Sequence, residues 1–336
     1  MKSIGKLFRI IILLGLLSSA RLALAETGVD WTSATLSAAF GQRMAHSSVV
    51  YDEKMWVIGG HETSQMNDVW WSSDGATWNR ATDNAAFSGR NDQSSVVFNG
   101  SMWVIAGESG AGVLNDVWWS TDGAAWNRAT AGATFPERCT HSSVAFGGKM
   151  WVIGGTWGPP NYYTNDVWWS NNGTAWQQAT AQAAFPRRAA QASVVFDGKM
   201  WVIGGHGSSG YLSDAWWSTD GATWTEAVPH GLGPPLPGSF LARAHHRCVA
   251  ADGKIWLVGG YNGSWMDDVW WSSDGANWTC AALHAGFPAR GRHTLLTFKN
   301  KMWALGGAGA GMANLSDVWY SPLAGPSAAE FWPLFN

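Results

Sequence analysis

Residues 67–82 read NDVWWSSDGATWNRAT, placing three tryptophans within nine residues. The phrase returns as NDVWWSTDGAAWNRAT at 115–130, NDVWWSNNGTAWQQAT at 165–180, SDAWWSTDGATWTEAV at 213–228 and DDVWWSSDGANWTCAA at 267–282. Five near-copies make these tryptophans a property of the architecture before they belong to any one site. Adjacent side chains of an extended strand point to opposite faces, so Trp70 and Trp71 each require apolar surroundings on a different side of one sheet. A sheet with one face in water would instead alternate apolar and polar residues.

Working outward, MWVIGG at 55–60 recurs as SMWVIAG, KMWVIGG, KMWVIGG, KIWLVGG and KMWALGG, giving six copies spaced 47 to 55 residues apart. Within one copy, HSSVVYD and KMWVIGG are short β-rich runs parted by a polar turn, and DVWWS and TWNRAT are two more parted by SSDG. Four strands per unit at this spacing predict an all-β fold, a six-bladed β-propeller of four-stranded antiparallel blades packed face to face around a channel. Each buried indole, with about 150–250 Å² of surface, then contributes several kcal/mol at ~25 cal/mol per Å² before entropy.

The ends of the repeat predict closure. DWTSATLSAAFGQR at 30–43 matches TWNRATDNAAFSGR at 77–90, whereas the last copy stops at DVWYSP. A strand around Trp31 is therefore expected to complete the sixth blade and remove an open sheet edge. Residues 26–322 form the propeller on this reading, and 323–336, containing GPSAAEFWPLFN, form a C-terminal tail. Residues 1–25 carry Lys2, Lys6 and Arg9 before the apolar run Ile10 to Leu17, with Ala23-Leu24-Ala25 as a small-residue cleavage site. The run is far shorter than the ~20 residues that span a bilayer, so it reads as a signal peptide and the protein as secreted or periplasmic, not membrane-spanning after cleavage.

Removing that segment strips four positive charges and takes the formal charge from -3 to about -7. Phosphate backbones require a basic surface, so nucleic acid is excluded as a partner. Cys139, Cys248 and Cys280 occupy different frames of the repeat and are expected to pack as small apolar groups rather than pair.

These residues resemble the Kelch repeat of the galactose oxidase/Kelch-like superfamily, in its secreted bacterial type. The Kelch pattern has an Arg and a nearby His ahead of the first strand, a Gly-Gly doublet ending the second, an aromatic in the third and a Trp opening the fourth. Arg43, His46, Gly59-Gly60, Trp70 and Trp78 stand in that order, and the match covers residues 28–321. The chain departs by using Trp where Kelch repeats more often have Tyr, and Ala106-Gly107 in the second copy. The SSDGATW turn is similar to the Asp-box of sialidases but one residue shorter, and reads as a structural hairpin.

Loops after Gly-Gly and loops joining successive blades share one face, where variation concentrates. Arg43, Arg90, Arg138, Arg188, Arg243 and Arg290 occupy one frame, with His46, Gln93, His141, Gln191, His246 and His293 three residues later. Asp68, Asp116, Asp166, Asp214, Asp268 and Asp317 open the third strands. Six Arg and six Asp at matching heights predict ion pairs tying the blades together. The family resemblance keeps a ligand-facing Arg ring as the other reading. The aperiodic residues are the ligand candidates: His61, Glu62, Glu108, Trp157, His206, Tyr261, Asn262 and Trp265. Loop aromatics suit stacking on a sugar ring or clasping a peptide. Two Pro-containing loops, TWGPPNYYTN at 156–165 and VPHGLGPPLPGSF at 228–240, are expected to stand as ridges beside them.

No metal-ligand spacing, Ser/His/Asp constellation or local motif for a crosslinked-Cys copper site is present, so neither catalytic residue nor cofactor is assigned. The expected function is that of a monomeric exported binding module for a carbohydrate or a protein or peptide segment. The alternative is a carbohydrate-active enzyme, a lyase/hydrolase or one like the sialic acid mutarotase among secreted Kelch propellers, using Arg, His and Glu62 or Glu108 around the channel.

Overall fold

The computed structural model describes residues 27–157, 162–231 and 239–323. The expected signal peptide, the Pro-rich stretches 158–161 and 232–238, and the tail beyond Leu323 lie outside these residues. The protein is an all-β propeller of four-stranded antiparallel sheets. Repeat one runs Ser47–Tyr51, Lys54–His61, Gln65–Ser72 and Asn79–Thr82, each strand antiparallel to the next. The described strands make four four-stranded sheets and one nine-stranded sheet, in which the two-residue strand Arg90–Asn91 bridges repeats one and two. The first strands lie side by side around the axis, and Ser47–Tyr51 also contacts Thr294–Phe298 of repeat six.

The strand after Trp31, Thr32–Thr35, pairs with the last described strand, Asn314–Pro322, through Thr32 opposite Tyr320 and Ser33 opposite Trp319. Gly28 reproduces the turn glycine of the other repeats: its N–H donates to Ser321 Oγ, and Trp31 Nε1 donates to its carbonyl. In repeat one the same turn is built by Asp74 Oδ1 accepting from the Ala76 and Thr77 N–H groups and by Trp78 Nε1 donating to Gly75 O.

The tryptophan doublet divides as its alternation requires. Trp70 joins a core with Trp303 and Leu305 of repeat six, and Trp71 joins one with Met102 and Val104 of repeat two. Both members are half-buried, whereas the indoles of the second strand, Trp56 at 3% exposure among them, and those that open the fourth are buried. That second-strand indole presses on the turn glycine of a neighbouring repeat. A Cβ on Gly123 would lie 2.1 Å from Trp56, and one on Gly75 would lie 2.0 Å from Trp303. A methyl group at either position has no space, so each turn is keyed to its neighbour.

The Gly-Gly doublet differs from its expected role. It does not end the second strand but forms a bulge within it, where the register slips between Ile58 and Gly60, after which His61 pairs with Gln65. Two consecutive left-handed residues, φ +58 and +109, make the kink, which continues the hairpin outward at a new angle. This accounts for the departure in repeat two: Ala106 takes the first position at φ 54, in the small left-handed region, whereas Gly107 holds φ 105, which only glycine adopts readily. A Cβ on Gly107 would also lie 2.7 Å from Gln93 Cβ. Ala106→Gly is therefore expected to change unfolding free energy by less than about 1 kcal/mol, and Gly107→Ala to cost about 2 kcal/mol or more, as read by denaturant titration.

Candidate functional site

Each segment entering a first strand is fixed by four consecutive residues. The Arg43 N–H donates to Leu315 O of repeat six, and its guanidinium grips Asp68 of repeat one with both Nη atoms at 2.9 Å while also donating to Gly59 O. Met44 pairs through its backbone with His61. Equivalent bidentate pairs join Arg90–Asp116, Arg138–Asp166, Arg188–Asp214, Arg243–Asp268 and Arg290–Asp317, with every one of these arginines buried. The carboxylate lies in the repeat that the arginine enters. The link between neighbours is made instead by the arginine's backbone, so one residue holds two repeats. In all six positions both Nη atoms are engaged by the aspartate, and in five of them Nε donates to a carbonyl two residues earlier, Arg43 Nε being the exception.

Two residues after each arginine the chain turns left-handed at Ala45, Asp92, Thr140, Ala190, His245 and Arg292, with φ between 53 and 59. Their peptide groups form a closed cycle. The N–H of Asp92 donates to Ala45, Thr140 to Asp92, Ala190 to Thr140, His245 to Ala190, Arg292 to His245 and Ala45 to Arg292, at 2.8–3.0 Å. This collar surrounds the channel, and its side chains are the varied column within an otherwise periodic segment. Arg292 reaches Asp92 across the collar at 3.5 Å.

Above the collar opens a cavity of about 460 Å³ lined by His61, Gln65, Asn91, Asp92, Glu108, Cys139, Tyr163, His206, His245 and Arg292, among others. Of the sequence candidates it gathers His61, Glu108 and His206. Glu62 sits exposed at a hairpin tip, so the two glutamates do not share the cavity. Asn262, also at a tip, and Tyr261, Trp265 and Trp157 are absent from its lining. Burial pushes the Cys139 thiol up to about 11, leaving it protonated at neutral pH.

Tyr261 and Trp265 belong to an aromatic run beside that cavity. Tyr163 OH lies 2.7 Å from His206 Nδ1, the His206 ring 4.9 Å from Tyr211, Tyr211 6.0 Å from Tyr261, and Tyr261 4.6 Å from Trp265. The run crosses repeats three, four and five in succession. It arises from the bulge, which makes the residue after the doublet and its cross-strand partner a pair: Thr156 with Tyr163, His206 with Tyr211, Tyr261 with Trp265. The corresponding pairs elsewhere are His61 with Gln65, Glu108 with Val113 and Ala308 with Asn314. Trp157 and Tyr162 stack at 5.0 Å on the repeat-three hairpin, both exposed. Trp265 also covers Gly291, where a Cβ would meet its ring at 2.7 Å.

Beneath the collar, burial holds His46, His246 and His293 well below the usual histidine range and His141 down to about 3, with the neighbouring arginines acting in the same direction. Below pH 6.5 the unfolded chain takes up protons that these folded residues refuse. Stability is therefore fully present above pH 6.5 and falls toward the folded values, by about 1.4 kcal/mol per pH unit per histidine. Denaturant unfolding at pH 7.5, 6 and 5 should show this decline, and His141→Gln, the residue carried at Gln93 and Gln191, should reduce its slope. A stability independent of pH over that range contradicts the assignment.

Scaffold and face define a propeller whose periodic residues carry the ring and whose aperiodic residues cluster at one mouth. The chain belongs to the Kelch-repeat family, since the family model described as the KLHDC2/KLHL20/DRC7 Kelch-repeats domain matches residues 27–177 and 118–307. No curated protein matches the chain. Among the described residues no helix is long and apolar enough to cross a membrane.

Proposed function

We propose that the protein is an exported, monomeric interaction module that docks a glycan or a protein segment on its mouth face. The ring is read as six-bladed, counting the nine-stranded sheet as two blades bridged by Arg90–Asn91. Export rests on the basic, apolar and small-residue order of residues 1–25.

The observation that carries the binding reading is the aromatic run confined to three consecutive repeats and flanked by the polar cavity. A scaffold need would repeat it six times, as it repeats the tryptophans. Burial raises the Tyr163 and Tyr211 hydroxyls and lowers His206, so all three present neutral faces at pH 7. Such faces stack on sugar rings or clasp side chains, while Glu108, His61 and Gln65 supply polar contacts from the other side.

The test is paired glycan-array and peptide-library binding with wild type, the Tyr211→Ala/Tyr261→Ala variant, and Ser73→Ala on the opposite face. The double variant should lose at least about tenfold in affinity for whichever class binds, and Ser73→Ala should bind as wild type. Equal binding by all three proteins excludes this face.

A further inference from the structure

Below the collar the channel narrows to a throat of about 190 Å³. Its first ring of side chains is Ser47, Ser94, Ser142, Ala192, Arg247 and Thr294, and its second is Ser48, Ser95, Ser143, Ser193, Cys248 and Leu295. Hydroxyls dominate and bond in pairs, as in Ser47–Ser95, Ser94–Ser143 and Ser142–Ser193 at 2.6 Å. Repeat five alone breaks the first ring with an arginine.

Arg247 differs from the six periodic arginines in lacking a carboxylate. Among the described residues it forms no ion pair, and its side-chain bond runs from Nη1 to His246 O at 3.2 Å. The nearby Asp92 is engaged by Arg292 and by Asn91 Nδ2. Burial disfavours the charge on Arg247, with Asp92 opposing that effect. The surrounding histidines His46, His246 and His293 are neutral at pH 7 for the reason given above, so they neither compete for an anion nor neutralise one. Arg247 is half-buried, and among the described residues its Nε and Nη2 carry no hydrogen bond, so these N–H groups stay available to a ligand in the channel.

We infer that the throat binds a single oxyanion, held by the Arg247 fork with serine hydroxyls as further donors. A guanidinium presents parallel N–H groups that match a carboxylate, phosphate or sulfate edge, and hydroxyls complete the shell. This site stands apart from the aromatic run and does not depend on it.

The experiment is thermal unfolding at pH 7.5 and constant ionic strength in chloride, sulfate, phosphate or acetate, for wild type, Arg247→Ser and Tyr211→Ala/Tyr261→Ala. Sulfate and phosphate stabilise any protein by exclusion, so the reading is the difference between variants. Wild type and the tyrosine variant should gain a few degrees beyond that common offset as oxyanion is raised, while Arg247→Ser gains none and melts no lower in chloride. A gain in acetate alone assigns the site to carboxylates, and one in sulfate or phosphate assigns it to tetrahedral anions. Parallel shifts in all three proteins overturn the inference. Should Arg247→Ser not fold, titration calorimetry of the same anions into wild type decides, and no saturable heat from any of them overturns it.

Discussion

Six peptide hydrogen bonds, each from one repeat to the next and the last returning to Ala45, make the collar a closed cycle. Closure requires every collar residue to turn left-handed, which costs a non-glycine residue about 1 kcal/mol or more. The chain accepts that cost at Ala45, Asp92, Thr140, Ala190, His245 and Arg292 alike. Because the backbone does the joining, the side chains of this ring are free to differ, and they form the varied column of an otherwise periodic segment.

Two further interlocks repeat around the cycle. The buried arginines attach the previous repeat by their backbone and their own repeat by an aspartate, and the second-strand tryptophans close on turn glycines of a neighbour. Breaking either partner of such an ion pair leaves an uncompensated buried charge, which is why the two columns keep strict register. Since the charges of the periodic arginines are balanced by these pairs, the channel's electrostatics fall to Arg247, Arg292, Asp92 and Glu108, none of which repeats.

Much of this was legible in the sequence because it is periodic. Trp70 and Trp71 announced two buried faces, the Arg and Asp columns announced their pairing, and the match between residues 30–43 and 77–90 announced the strand that pairs with Asn314–Pro322. The mouth was less legible for a geometric reason. The doublet reads as a strand terminus, but two left-handed glycines bulge the strand and carry it on. Partners across the extended hairpin then fall at irregular separations, His61 with Gln65 but Thr156 with Tyr163, so Tyr163 and Tyr211 escape any fixed spacing. Arg247 escaped differently: it replaces a serine inside a strand, where a single change looks like drift until the ring is seen around it.

Native-state hydrogen exchange at the six collar amides tests the closed ring most directly. All six should exchange only through global unfolding, with equal free energies, including the Ala45 amide that bonds to Arg292 across the two ends of the repeat array. Fast exchange at Ala45 by local opening, while Thr140, Ala190 and His245 stay protected, would show a ring open at that seam and contradict it.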